Sequence, residues 1–93
     1  MALTFEWDSD KAQANLGKHG VGFLEAATVL GDPLSLTISD AGHSEGEQRF
    51  VSVGMSDRLR LLVVAHTEWG ERIRIISARR ATRREQRAYE QEA

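Results

Sequence analysis

Three observations place this 93-residue chain in the α+β class, as an antiparallel sheet packed with helices. Five short runs alternate in apolar character, helix-type spacing occupies both ends, and Gly, Pro, Asp and Ser punctuate the joins. The expected order is β-α-α-β-β-β-β-α, with two N-terminal helices and one C-terminal helix, in a single domain spanning residues 1–93.

Leu3 to Trp7 alternates and reads as a strand. Asp8 is a good N-cap for a helix over Ser9 to Lys18, with Ala12, Leu16 and Asn15 turned inward and Gly20 stopping it. A second helix, Phe23 to Leu30, sets Phe23, Ala26, Ala27 and Leu30 on one face, and Gly31-Asp32-Pro33 ends it. Leu34 to Ser39 is the next strand, followed by a polar loop from Asp40 to Gly46. Gln48 to Met55 and Leu59 to Thr67 are joined at Ser56-Asp57-Arg58. The second of these is apolar on both faces, as a central strand must be. Glu68-Trp69-Gly70-Glu71 is a tight turn into the strand Arg72 to Ala78. Thr82 with Glu85 forms a capping box for a last helix to Gln91. Its apolar face is thin, Ala88 and Tyr89, so it should dock weakly or be held by a partner.

Composition narrows the function classes. With 41% hydrophobic and 28% charged residues the chain can fold, and no apolar stretch reaches the roughly 18 residues of a membrane span. The absence of cysteine excludes disulfides, thiol chemistry and Cys-based zinc sites, and fits a reducing compartment. No signal peptide is visible at the N-terminus. A net charge of −2 conceals a gradient. Residues 1–57 carry three basic and nine acidic groups, whereas residues 58–93 carry nine arginines and five acids. A pI near 5.9 argues against indiscriminate adhesion to nucleic acid, yet a local arginine surface can still hold phosphate.

The segment Arg72-Ile73-Arg74-Ile75 sets two guanidinium groups on one sheet face, about 7 Å apart. That suits successive phosphates, and Arg79 and Arg80 extend the positive field beyond the strand end. A solvated basic face neutralised by Glu68 and Glu71 is the competing reading. His43, Glu47 and Arg49 gather an imidazole, a carboxylate and a guanidinium. These are the types that metal-free RNA cleavage needs to move a 2′-hydroxyl proton, to protonate the leaving oxygen and to offset phosphate charge. The same types are common in polar loops. Lys18 and His19 first of all offset the negative end of a helix dipole. His66 reads as a satisfied, partly buried histidine, and Trp7 and Trp69 as core and turn packing. No metal-ligand spacing and no phosphate-cradling glycine loop is present.

Several strings in order carry a resemblance. They are Phe5-Glu-Trp-Asp8, Lys18-His-Gly-Val21, Asp32-Pro33, His43-Ser-Glu45, Gly54-Met-Ser56, Arg60-Leu-Leu62 and Ile73-Arg-Ile-Ile-Ser-Ala-Arg79. From about Phe5 to Glu90 the chain resembles the BrnT family, the toxin half of a bacterial type II toxin–antitoxin pair. It departs at Gly22, where the family usually carries a Ser-like cap, so the second helix should start weakly. The resemblance implies a RelE-like fold, a cytoplasmic endoribonuclease without metal or cofactor, and arrest of translation and growth. It implies a BrnA-like ribbon-helix-helix antitoxin as partner, with operator DNA bound only through that antitoxin. Carried onto this chain, His43, Glu47, Arg49 and Arg79 become candidates for catalysis. Lys18, His19, Arg72, Arg74 and Arg80 become candidates for RNA binding. The alternative is a non-catalytic module that acts as co-repressor with a DNA-binding partner.

Overall fold

A computed structural model describes residues 3–40 and 48–92; His43 and Glu47 lie outside the described residues. The elements are β1 (Thr4–Glu6), α1 (Ser9–His19), α2 (Phe23–Val29), β2 (Leu36–Ser39), β3 (Arg49–Met55), β4 (Leu61–Trp69), β5 (Arg72–Arg80) and α3 (Arg83–Glu92), in the expected order. They build one five-stranded sheet in the order β1-β5-β4-β3-β2. β2 to β5 form the antiparallel meander that the turn residues predict. The sheet as a whole is mixed, because β1 joins β5 in parallel, Thr4 beside Arg72 and Glu6 beside Arg74. A three-residue strand followed by a helix contains no information about which edge it will join, so the all-antiparallel expectation is corrected here.

α1 and α2 cover one face of the sheet. Leu62 and Val64 of β4 and Ile73, Ile75 and Ala78 of β5 pack there against Val21, Phe23, Ala26 and Val29. Trp7 meets Phe23 edge-on, as expected of a core tryptophan. The approach of α2 to β3 is close. A Cβ at Gly54 would lie 2.9 Å from Ser35 Cβ and 3.0 Å from Val29 Cγ1. Asp8 caps α1 by accepting from the N–H groups of Asp10 and Lys11, whereas Gly22 gives α2 no side-chain cap.

β1 pairs with β5 only through Arg74, so the backbone of β5 farther along needs another partner on that flank. Asn15 of α1 supplies it. Its Nδ2 donates to the Ala78 carbonyl at 2.8 Å and to the Val21 carbonyl at 3.0 Å. Its Oδ1 accepts from the Ala78 N–H at 3.1 Å. One buried amide thus stands in for a missing strand.

The register of β4 against β5 shifts between Ala65 and His66. Ala65 faces Ser77 and His66 faces Ile75, leaving Ile76 as an extra residue. Before the bulge the even-numbered arginines, Arg72 and Arg74, point away from α1 and α2. After it, the odd-numbered Arg79 does so, because Ala78 is in the core.

His66 is fully buried, stacked on Phe50 and hydrogen-bonded through Nε2 to Ser52 Oγ at 2.8 Å. Burial holds its pKa down, at about 4 against an ordinary 6.5. A folded-state value below the unfolded one stabilises the protein at pH above 6.5, and that contribution drains away as the pH falls towards 4. Stability should therefore drop by about 2 kcal/mol between pH 6.5 and 5, a window above the carboxylate titrations. Urea denaturation at several pH values measures this. A His66→Gln variant should show a flatter profile, and an equal slope in both proteins would refute the assignment.

Candidate functional site

The face of the sheet away from α1 and α2 carries the arginine array. Arg49, Thr67, Arg74 and Glu6 occupy one row across β3, β4, β5 and β1. The next row towards the β4–β5 turn holds Trp69, Arg72 and Thr4. Arg72 Nε lies 3.3 Å from Glu6 Oε1, and Arg74 Nη2 lies 3.3 Å from Glu6 Oε2. Both guanidinium groups are more than half exposed, so these contacts are weak and open to competition. The competing reading of the sequence named Glu68 and Glu71 as partners; the carboxylate comes instead from β1, which only the tertiary fold brings alongside.

Beside these arginines is a cleft of about 370 Å³ lined by Glu6, Thr67, Trp69, Arg72 and Arg74. Trp69 does not pack into the turn. It ends β4 directly opposite Arg72 and is 81% exposed. Sequence reasoning missed it, although the signal was there. A two-residue turn at Gly70-Glu71, with Gly70 at φ 63°, sets residue 69 across from residue 72 on the same face.

Arg79 shares this face, about 14 Å along β5 from Arg74 by strand spacing. It is committed within the chain. Its Nη1 and Nη2 donate to Glu85 Oε1 and Oε2, each at 2.8 Å. Glu85 also closes the capping box, accepting from the Thr82 N–H at 2.8 Å while its own N–H donates to Thr82 Oγ1 at 3.2 Å. Tyr89 adds a second tie by donating to Asp32 Oδ2 at 2.6 Å. Asp32 raises the Tyr89 pKa to about 12 by holding that proton. α3 is therefore held by polar pins where its thin apolar face would not suffice.

The Arg79 guanidinium holds Glu85 at a pKa of about 2. This folded value lies below the ordinary 4.5, so the tie is intact above pH 4.5 and is lost as the pH falls through 2. Arg79→Ala and Glu85→Ala should each loosen α3 by about 1 kcal/mol, after allowance for solvent screening. Faster hydrogen exchange confined to residues 83–92 would register the loss. Unchanged exchange there would show that Arg79 does not anchor the helix.

Lys18, His19 and Arg80 are placed on the other side. Lys18 and His19 form the last turn of α1, and the carbonyl of Gly20 just beyond them accepts from Arg60 Nη2 at 3.2 Å. Arg80 does not extend the field of Arg79. β5 continues through both residues, and Arg80 lies opposite Leu62 on the helix side. The described candidates thus separate into two groups, Arg49, Arg72, Arg74 and Arg79 on the open face, and Lys18, His19 and Arg80 behind the sheet. Arg49 opens β3, and His43 and Glu47 precede it in sequence, outside the described residues. Among the described residues no three metal-ligating side chains converge, and no helix is long and apolar enough to cross a membrane.

A family model for the ribonuclease toxin BrnT of type II toxin–antitoxin systems matches residues 7–85 of the chain. The crystal structure of the Brucella abortus ribonuclease toxin BrnT superposes with a TM-score of 0.66 at 22% sequence identity, covering 88% of this chain and all of that one. At this identity the superposition speaks for a shared fold. No curated protein matches the chain.

Proposed function

The chain belongs to the BrnT family of ribonuclease toxins of type II toxin–antitoxin systems, and from that premise we propose that it cleaves single-stranded RNA without a metal ion, on the open face of a RelE-like sheet. The observation that carries this is the convergence of Arg72, Arg74 and Arg49 on two adjacent rows of one rigid face. Guanidinium forks there would hold the phosphodiester and offset the charge that gathers on it.

In the reaction a base removes the proton of the 2′-hydroxyl, and the 2′-oxygen attacks phosphorus. The bond to the 5′-oxygen breaks and that oxygen takes a proton from an acid. His43 and Glu47 are the groups we assign to the two proton transfers, and Arg49, which opens β3, is the cation we assign to offset the phosphate charge. Arg79 is assigned a smaller part than the resemblance implies, because Glu85 already occupies its fork. Loss of RNA lowers translation, and a BrnA-like ribbon-helix-helix antitoxin neutralises the protein and carries the complex to operator DNA.

The test is incubation of purified protein with a 5′-labelled RNA in EDTA. Cleavage leaving a 2′,3′-cyclic phosphate is expected. Cleavage that appears only after addition of Mg²⁺ would refute metal independence. The internal ion pairs of Arg72, Arg74 and Arg79 favour the second reading, a non-cleaving co-repressor. Complete absence of cleavage, with tighter operator binding by the antitoxin, would establish it.

A further inference from the structure

We propose that the cleft beside the β4–β5 turn is a subsite for one unpaired nucleotide, its base stacked on Trp69 and its phosphate held by Arg72 and Arg74; this rests on the ribonuclease reading above. Trp69 is the most informative residue in it. At 81% exposure the indole meets solvent, yet it is carried by a paired strand position and not by a loose loop. A large aromatic plane presented uncovered from a paired strand is what base stacking uses, and it tolerates any base because every base offers a π-face. The neighbouring strand position, Arg72, and Arg74 one pleat farther on lie on the same face. The stacking plane and the cationic fork are thus side by side, as a base and its own phosphate are.

Charge and size fit the same occupant. Two guanidinium groups share the single carboxylate of Glu6, so the cleft keeps an excess positive charge. A phosphate can draw either fork from Glu6 because both contacts are long and exposed. The volume of about 370 Å³ falls within the usual range of small-ligand pockets, roughly 300–1,000 Å³. An acidic protein segment would satisfy the arginines but leave the flat ring without a purpose, so the nucleotide is favoured.

The test is fluorescence anisotropy with a 2′-O-methyl RNA decamer, which binds but cannot be cut. Trp69→Ala should weaken binding by about 5- to 100-fold, and Trp69→Phe, which keeps a ring, should recover most of it. The salt dependence should be unchanged in Trp69→Ala, since the indole carries no charge. Arg72→Ala should lower the slope by about 0.7. The emission of Trp69 should be quenched by saturating RNA, and that quench should vanish in Trp69→Phe. A wild-type protein that cuts RNA alongside a Trp69→Ala protein of equal affinity and rate would overturn the subsite alone. Unchanged RNA affinity with lost antitoxin capture would overturn it in favour of a protein contact. A wild-type protein that neither binds nor cuts RNA would overturn the ribonuclease reading, and the subsite with it.

Discussion

Glu25→Ala is expected to destabilise the protein by about 3 kcal/mol, a large part of what a domain of this size has in reserve. Glu25 is 6% exposed, at the start of α2. Its Oε2 accepts from Arg60 Nε at 2.9 Å and from Ser56 Oγ at 2.7 Å, and its Oε1 accepts from Arg60 Nη2. The hydrogen bonds from Arg60 hold its carboxyl below the usual carboxylate range despite burial. Removing the carboxylate takes the acceptor from the Ser56 hydroxyl proton and releases the Arg60 fork, which also ties the β3–β4 turn to the carbonyl of Gly20. Arg60→Ala should destabilise as well, by stranding a buried carboxylate. Because the folded pKa of Glu25 is lowered, the pair's contribution is present above pH 4.5 and lost on acidification. Urea midpoints at pH 7 and pH 4 decide the matter. A Glu25→Ala midpoint equal to that of the wild type would show the pair to be energetically idle.

The double substitution Arg72→Ala with Arg74→Ala is expected to reduce RNA cleavage by about two orders of magnitude, mainly through binding. Each arginine offers a charge-assisted hydrogen bond to phosphate from a rigid strand, and both side chains are exposed, so the fold should be spared. The slope of log affinity against log salt should fall by about 1.4 for the pair. Glu6→Gln should act in the opposite sense. It removes the carboxylate that competes with phosphate for both forks, and affinity should rise several-fold. Should the double variant cut RNA at the wild-type rate with an unaltered salt slope, the open face is not where RNA binds.

Local signals were strong in this chain, and the element order was readable from them. Asp8 and the Thr82–Glu85 box mark helix starts, and Gly70 marks a hairpin. Of the helix-period face Phe23, Ala26, Ala27 and Leu30, Phe23 and Ala26 are buried while Ala27 and Leu30 are half-buried, and Val29, outside that set, is in the core. His66 reads from the sequence as partly buried, and the fold buries it fully. The capless start of α2 was legible too, but the use made of Glu25 was not. Its partners, Ser56 and Arg60, lie more than thirty residues away in sequence.

What the sequence determines by itself is the set of elements and their order, because capping, turn chemistry and apolar period act over a few residues. What only the tertiary structure decides is which faces coincide. The parallel docking of β1 brings Glu6 to Arg72 and Arg74, and the extra residue at Ile76 moves Arg79 to their side while sending Arg80 behind the sheet. A period of two has no memory of a register shift, and a shift is settled by how two strands pack under a common set of helices.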